Sequence, residues 1–189
     1  MKIILNNIGS GELWLKIMKA ICGDTKDKSM VDLGSHLAPY TPMLGFKENT
    51  YVDILERPLD YKDQQQFFVK SDMISFLEKC SHFDVAISSD SIEHLHKENG
   101  VTLVKLMELK SDKQIIFTPL GEYMVNEDVN NIDPDSHRSG WMPEDFEGWA
   151  SVIMPNFHPR LNKGAFFAFN CNNIENEFYR ISNELKQII

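Results

Sequence analysis

Acidic and small residues stand at or just beyond the ends of several short apolar runs in the sequence. The residues with this placement are Asp32, Gly34, Ser35, His36, Asp53, Asp72, Met73, Ser88, Ser89 and Asp90. A glycine turn lets the backbone approach a ligand closely, and a carboxylate can accept both hydroxyl protons of a ribose. Asp53 follows Asp32 at about the 20-residue separation expected between a ligand-binding turn and a ribose-binding acid. These residue types therefore predict an adenosyl site, with Asp53 at the ribose and Asp72 at the adenine amino group.

Each of these residues also has a purely structural alternative. Asp32 and Asp53 could cap turns, although their shared pattern favours ligand contact. Asp72 could be the N-cap of a helix that begins at the next residue, and this role is compatible with contact to adenine. Ser88 and Ser89 could satisfy backbone groups at a strand end or lie beside the amino-acid part of the ligand.

The elements that would position these residues alternate along the chain. Short apolar runs predict strands over 30–34, 50–54, 67–69, 83–87 and 114–118. Amphipathic stretches predict helices over 11–22, 40–46, 59–65, 73–80 and 97–110. Because parallel strands need crossover connections, this alternation predicts a parallel sheet with helices on both faces. Ligands bind beyond the carboxyl ends of the strands in such a sheet, which is where the candidate residues lie.

The last third of the sequence has a different pattern. Runs at 152–154 and 165–169 predict an antiparallel pair, since the connection between them lacks helical periodicity. Helices are expected over 144–149, before this pair, and from 174 to about 186, after it. We expect one domain over 1–189, with an N-terminal helical segment over 1–24 and a substrate-side loop over 120–143.

The sequence resembles the class I S-adenosylmethionine-dependent methyltransferases over about residues 30–170. The segments that carry the resemblance are Met30-Val-Asp-Leu-Gly-Ser35, Tyr51-Val-Asp53, Ser71-Asp-Met73, Phe83-Asp-Val-Ala-Ile-Ser-Ser-Asp-Ser-Ile-Glu-His-Leu95 and Ile115-Ile-Phe-Thr-Pro119. The resemblance implies a three-layer α-β-α sandwich, an α/β fold with a seven-stranded, mostly parallel sheet. Its implied strand order is 3-2-1-4-5-7-6, with an antiparallel last strand. It also implies S-adenosylmethionine as the cofactor.

One departure from the family pattern falls in the first of these segments. The family usually continues Gly-x-Gly-x-Gly, whereas this chain has Gly34-Ser-His36-Leu-Ala38. The Cβ of His36 is expected to conflict with a strained turn or with ligand approach. Pro39 and Pro42 are expected to shorten or delay the helix that follows.

The loop after the fifth strand mixes polar and aromatic residues, and long ordered loops are often lids or binding loops. The resemblance implies that this loop frames the acceptor pocket. Tyr123, His137, Arg138 and Trp141 are candidates for substrate contact, with an ordinary surface loop as the alternative. A general base is needed only if the acceptor is a poorly ionised hydroxyl or a protonated amine. The candidates for that role are His137, ranked first, His94 and Asp90.

A metal site is not expected. His94, His96, His137 and His158 have no flanking cysteine that would support zinc, and exposed or capping histidines are the favoured interpretation. The three cysteines, at positions 22, 80 and 171, are far apart, which fits core thiols in a reducing compartment.

The charge of the chain and the length of its apolar runs disfavour several classes of function. The chain has 28 acidic and 19 basic residues and a net charge of −9, which disfavours phosphate-driven nucleic-acid binding and anionic membranes. No apolar run has the length of a membrane span or a signal peptide, so a soluble, cytoplasmic protein is expected. The leading hypothesis is a methyltransferase that acts on a small-molecule acceptor by in-line displacement. The alternative is a catalytically inactive, methyltransferase-like binding or scaffold module; a nicotinamide oxidoreductase is disfavoured because the second glycine is missing.

Overall fold

The computed structural model describes residues 1–36, 40–55, 66–122 and 133–188. The strands are β1 (Lys2–Ile4), β2 (Ser29–Leu33), β3 (Glu48–Asp53), β4 (Gln66–Lys70), β5 (Phe83–Ser89), β6 (Ser111–Pro119), β7 (Ala150–His158) and β8 (Lys163–Cys171). The helices are α1 (Gly11–Cys22), α2 (Met73–Lys79), α3 (Lys97–Lys110) and α4 (Ile174–Ile188). Across these described residues, no helix combines the length and apolar character needed to cross a membrane.

All eight strands form one sheet in the order β1-β7-β8-β6-β5-β2-β3-β4. β8 is antiparallel to both of its neighbours, and every other pair is parallel. The predicted count of seven strands and the corresponding order were therefore wrong for the whole sheet. The difference is β1, which adds to the outer edge of β7; the other seven strands follow one another as 3-2-1-4-5-7-6. β1 also makes the segment 1–24 only partly helical.

Two apolar layers, one on each face of the sheet, hold the helices. Successive residues of a strand point to opposite faces, and Met30 and Val31 of β2 accordingly belong to different clusters. α1 and α4 cover the face that includes Met30, and α2 and α3 cover the other. The predicted α/β architecture with helices on both faces is confirmed.

The ends of α1 follow the expected capping chemistry. Ser10 is the N-cap, and its hydroxyl oxygen accepts a hydrogen bond from the backbone N–H of Leu13 at 3.1 Å. Gly23 ends the helix with a φ of 68°, a conformation that favours glycine. The predicted bounds of 11–22 are confirmed.

Two predicted helices are wrong and a third lies outside the described residues. The stretch 40–46 contains only a 3₁₀ turn over Thr41–Leu44, which Gly45 ends with a φ of 77°. The stretch 144–149 contains only a 3₁₀ turn over Pro143–Asp145. There, Phe146 stacks between the rings of Trp141 and Trp149, at 5.4 and 5.5 Å between centroids. Gly148, with a φ of 82°, is incompatible with a continuous helix. The predicted helix over 59–65 falls on residues that the structure does not describe.

Candidate active site

A cavity of about 1060 Å³ lies beyond the carboxyl ends of β2, β3, β5 and β6. Most of the residues predicted from the sequence line it, namely Asp32, Gly34, Ser35, His36, Asp53, Asp72, Met73, Ser89, Asp90, His94 and Arg138. The parallel strands explain this convergence, because their carboxyl ends meet at one edge of the sheet.

The turn after β2 packs tightly against the segment after β5. Gly34 has a φ of 71°, and a Cβ at this position would lie 2.5 Å from the Cβ of Ser91. The hydroxyl of Ser91 donates to the carbonyl oxygen of Leu33 at 2.8 Å. Glycine is therefore required here by the packing of the protein itself, independently of any ligand.

Asp53, at the end of β3, is joined to this turn. Its Oδ2 accepts a hydrogen bond from the backbone N–H of His36 at 2.7 Å, and its Oδ1 accepts one from Leu55 at 2.8 Å. The side chain is 8% exposed and lines the cavity. Since each carboxylate oxygen can accept a second hydrogen bond, Asp53 retains the capacity to bind hydroxyl groups of a ligand.

His36 adopts the left-handed conformation, with a φ of 32°. This region is uncommon for residues other than glycine, and asparagine, aspartate and histidine tolerate it best. The side chain of His36 is exposed and lines the cavity. The departure from the family pattern therefore places a side chain on a left-handed backbone, and a conflict with ligand approach stays a prediction.

Two further carboxylates at strand ends have structural partners as well as access to the cavity. Thr41 donates to Oδ2 of buried Asp32 at 2.7 Å. Asp72 is the N-cap of α2, where its Oδ1 accepts from the backbone N–H of Ser75 at 2.9 Å. This hydrogen bond is the main reason that the pKa of Asp72 lies below its ordinary value. Capping and ligand contact are thus compatible at Asp72, because the residue also lines the cavity.

The two serines at the end of β5 have different surroundings. Ser88 is fully buried, its hydroxyl lies 2.6 Å from that of Ser91, and it is outside the cavity lining. Ser89 lines the cavity. The geometry therefore assigns Ser88 to the packing beneath the turn after β2.

A pair of carboxylates follows β5. Glu93 is 2% exposed; Thr118 donates to its Oε2 at 3.0 Å, while its buried Oε1 has no hydrogen-bond partner. Burial raises the pKa of Glu93, and the charge of Asp90 raises it further. Asp90 is exposed to the cavity, but its enclosure by protein removes it from bulk water and raises its pKa as well. Asp90 has a φ of 48°.

His94 and His137 meet although they are distant in sequence. Their ring centroids are 4.8 Å apart, with an angle of 81° between the rings. Nδ1 of His94 lies 3.3 Å from the carbonyl oxygen of Ser136. Of the three residues predicted to be catalytic, Asp90 and His94 line the cavity, and His137 contacts His94 without being among the lining residues.

Arg138 holds the loop to the segment after β5. Its guanidinium donates to the carbonyl oxygens of Asp133, His94 and Ser136 at 2.7, 2.9 and 3.2 Å. Its backbone N–H donates to the carbonyl oxygen of Glu93 at 2.8 Å. Arg138 lines the cavity, but these hydrogen bonds occupy much of the donor capacity that we expected to serve a substrate.

Trp141 does not line the cavity. It is 1% exposed, and Lys97 Nζ lies 3.6 Å from the centroid of its ring. A Cβ at Gly100 would be 2.3 Å from the Trp141 ring, so the indole is enclosed by α3. Tyr123, the remaining candidate for substrate contact, lies outside the described residues.

Sequence reasoning missed an aromatic wall of the cavity, formed by Trp14, Tyr40, Phe117 and Phe157. The rings of Trp14 and Tyr40 are 5.7 Å apart between centroids, and those of Phe117 and Phe157 are 5.3 Å apart. The only signal in the sequence was apolar periodicity, which does not distinguish a ring in the core from one that faces a cavity.

No protein-family model matches the sequence, and no curated protein matches it either. Solved structures do match. N-methyltransferase NodS from Bradyrhizobium japonicum WM9, in complex with S-adenosyl-L-homocysteine, is 12% identical with a TM-score of 0.61, and the match covers 85% of this chain and 87% of that chain. A SAM-dependent methyltransferase from Archaeoglobus fulgidus is 19% identical with a TM-score of 0.57, covering 86% of this chain and 95% of that chain.

A third match contains two bound small molecules. It is the 1,6-didemethyltoxoflavin-N1-methyltransferase from Burkholderia thailandensis, with 1,6-didemethyltoxoflavin and S-adenosylhomocysteine bound. It is 15% identical with a TM-score of 0.57, and the match covers 85% of this chain and 81% of that chain. The sheet, the cavity at its carboxyl edge and these similarities agree: the chain has the Rossmann-like fold of the class I S-adenosylmethionine-dependent methyltransferases.

Proposed function

We propose that this protein is an S-adenosylmethionine-dependent methyltransferase that moves a methyl group to a small-molecule acceptor by in-line displacement. The observation that carries the proposal is the convergence of the Gly34 turn and the Asp53 carboxylate on one large cavity. The cavity of about 1060 Å³ exceeds ordinary ligand pockets of about 300–1,000 Å³. It therefore has room for a nucleoside cofactor together with an acceptor.

The residues present fit the cofactor. Asp53 would hold the ribose hydroxyls with the free lone pairs of its oxygens, and Asp72 and Met73 would contact the adenine. Asp32, Gly34, Ser35 and His36 would form the turn beside the cofactor, with Ser89 near its amino-acid part. We retain Ser88 only as a residue that supports this wall, since its hydroxyl lies 2.6 Å from that of Ser91.

When bound, S-adenosylmethionine supplies a methyl group that is already activated by the positive charge of its sulfonium. The residues of the chain then have to align the acceptor and exclude water. Asp90, His94 and His137 would accept a proton from the acceptor where one has to leave. We rank His137 first, because an imidazole titrates near working pH.

The shape of the other end of the cavity favours an acceptor with a planar apolar part. Phe117 and Phe157 lie there near the ends of β6 and β7, and Trp14 faces them from α1. Aromatic rings pack well against flat apolar surfaces. The bound 1,6-didemethyltoxoflavin of one similar structure supports a small-molecule acceptor, and a net charge of −9 supports it over a nucleic acid.

The loop over 120–143 would frame the acceptor as part of a single domain over 1–189. Its residues Pro134, Asp135 and Arg138 line the cavity. Arg138 remains a candidate for acceptor contact through the guanidinium hydrogens that the carbonyl oxygens leave free. Trp141 would act by anchoring the end of the loop in the core. The free thiols of Cys22, Cys80 and Cys171 support a reducing, cytoplasmic setting.

Titration calorimetry with S-adenosylhomocysteine tests the proposal. We expect micromolar binding by the wild-type protein and at least a tenfold loss of affinity for Asp53→Ala. Asp84→Ala is the matched control. Asp84 also accepts a hydrogen bond from a backbone N–H, that of Ser29 at 2.8 Å, but it lies at the amino end of β5, away from the cavity. Its affinity should equal that of the wild type. No binding at millimolar ligand would instead support the inactive scaffold module.

A further inference from the structure

We propose that Glu93, His94 and His137 bind one divalent transition-metal ion at the acceptor end of the cavity. One oxygen of Glu93 and one ring nitrogen of each histidine lie within 4.8 Å of one another. Ligand atoms about 2.0–2.1 Å from a tetrahedral ion are about 3.4 Å apart. A contraction of about 1.5 Å or less, within reach of side-chain rotation, would therefore complete this metal cluster.

An unsatisfied buried atom supports the assignment. Oε1 of Glu93 is buried and has no hydrogen-bond partner, while Thr118 holds Oε2 at 3.0 Å. Leaving a buried carboxylate oxygen unpaired is costly. A bound cation would satisfy it, and Thr118 would keep the carboxylate in one orientation, as partners of metal ligands commonly do.

The tautomer of His94 is also suited to an ion. Its Nδ1 lies 3.3 Å from the carbonyl oxygen of Ser136, and a carbonyl oxygen can only accept a hydrogen bond. Nδ1 therefore carries the hydrogen, and Nε2 is left with a lone pair for coordination. A histidine that donates one ring N–H to a backbone carbonyl is the usual arrangement at metal sites.

The geometry that brings His137 to this point is built into the loop. The backbone N–H groups of Arg138 and Ser139 donate to the carbonyl oxygen of Glu93 at 2.8 and 3.1 Å. The guanidinium of Arg138 donates to the carbonyl oxygen of His94 at 2.9 Å. Arg138 is therefore a positioning residue, since it holds the loop that carries His137 against Glu93 and His94.

A bound cation would favour the charged forms of Glu93 and Asp90, which burial otherwise disfavours. Asp90 lies close enough to Glu93 for their charges to interact. Among the described parts of the chain, neither carboxylate forms an ion pair; the salt bridges found there involve other acids. The cation of Arg138 is directed to backbone carbonyls instead. A divalent ion would balance both acids.

The ligand set selects the type of metal. Two imidazoles and one carboxylate suit Mn²⁺, Fe²⁺, Co²⁺ or Zn²⁺, whereas Mg²⁺ prefers oxygen ligands alone. Three protein ligands leave coordination positions open, and His94 borders the cavity. Under the proposed methyl transfer, on which this step rests, the open positions would take a hydroxyl oxygen of the acceptor and lower its pKa. With His94 and His137 acting as ligands, Asp90, which lines the cavity, would take the proton of that hydroxyl in place of the histidines. The favoured acceptor is therefore an alcohol or a phenol.

Titration of Co²⁺ into protein freed of metal with EDTA tests the site. We expect visible absorption bands that saturate at one ion per chain and disappear when Zn²⁺ is added. His137→Ala and Glu93→Gln, which keeps the size of the side chain, should each weaken Co²⁺ binding at least tenfold. His96→Ala is the control, since His96 is exposed and lies outside the cluster, and it should bind as the wild type does.

Two results would overturn the proposal. One is the absence of saturable Co²⁺ binding by folded wild-type protein, with folding checked by circular dichroism. The other is equal binding by the wild type and both cluster variants, which would place the ion at a surface group such as His82 and Asp112, 2.9 Å apart. S-adenosylhomocysteine binding, measured on the same samples, separates this outcome from failure of the proposed methyltransferase function.

Discussion

The backbone N–H of His36 donates to Oδ2 of Asp53 at 2.7 Å, which joins the turn after β2 to the end of β3. The contact uses the main chain and not the imidazole. A side chain at position 36 is therefore compatible with the same hydrogen bond that a glycine would make, provided that the left-handed backbone is tolerated. The departure from the family's glycine pattern and the placement of the ribose-binding candidate are consistent with each other.

His36→Ala should leave cofactor binding unchanged. The variant keeps the backbone N–H that donates to Asp53 and removes only the imidazole, which takes no part in that hydrogen bond. We expect the dissociation constant of S-adenosylhomocysteine, measured by calorimetry, to stay within about threefold of the wild type, or about 0.7 kcal/mol. A tenfold gain in affinity would show that the imidazole occupies space needed by the ligand.

Gly34→Ala should destabilise the fold strongly. The new Cβ would adopt a left-handed backbone, at about 1–2 kcal/mol, and would also meet the Cβ of Ser91 at 2.5 Å, at about 1–3 kcal/mol more. Urea denaturation measures the sum as a loss of unfolding free energy.

Gly148→Ala is the matched control for this experiment. Gly148 has a φ of 82°, and nothing lies within 4 Å of a Cβ placed there. It should show the backbone cost alone. Adding Ser91→Gly to Gly34→Ala removes the opposing Cβ and should recover part of the loss; additive losses in the double variant would contradict the clash.

Trp141→Ala should lower the free energy of unfolding by about 3–5 kcal/mol, because a large buried ring leaves a cavity when it is removed. The indole is 1% exposed, and its Nε1 donates to Ser139 at 2.8 Å. Trp141→Phe should recover most of the stability with little effect on ligand affinity. If Trp141→Phe retained full stability and lost acceptor binding, a direct substrate contact would replace the packing role described here.

Glu177→Gln should remove a pH-dependent contribution to stability. Glu177 accepts from Arg180 at 3.0 Å and from Lys113 at 3.1 Å, and these contacts lower its pKa to about 2. A carboxylate whose pKa is lower in the folded state than its unfolded value of about 4.3 stabilises the fold above that value, and the contribution is lost as the pH falls towards the folded pKa.

At pH 7 we expect Glu177→Gln to reduce the free energy of unfolding by about 1 kcal/mol, since the group is partly exposed and screened. The difference from the wild type should shrink between about pH 5 and about pH 2. Glu175→Gln, on the exposed side of α4, should differ little from the wild type at any pH. A constant difference between wild type and Glu177→Gln over this range would exclude the ionic origin.

The parts of the fold with a regular pattern were predictable. The apolar runs of β2 and β5 and the capped stripe of α1 each extend over enough residues to show a period. β1 has only three residues, too few for any period, so its pairing with β7 could not be foreseen. The helix predicted over 144–149 was wrong because the packing of Phe146 between two indoles overrides local helix propensity.

The candidate site was predictable where strand ends supply it. Asp53 and Asp72 were found because the carboxyl ends of parallel strands meet. The contact of His94 with His137, at 4.8 Å between centroids, depends on the path of a loop that has no periodic pattern. The contact between Phe157 and Phe117 was not predictable for the same reason, because it depends on an irregular stretch of β7.

Residues 1–11 both cover the outer edge of β7 and border the cavity. Lys2–Ile4 protects the outer backbone of β7, and Gly9 continues the contact by donating to the carbonyl oxygen of Phe157 at 3.0 Å before Gly9, Ser10 and Gly11 reach the cavity rim. Detachment of residues 1–11 would expose the edge of β7 and open the cavity at the same time. We expect ligand binding to slow amide exchange along 151–153, because these residues pair with Lys2–Ile4 and the same N-terminal segment borders the cavity.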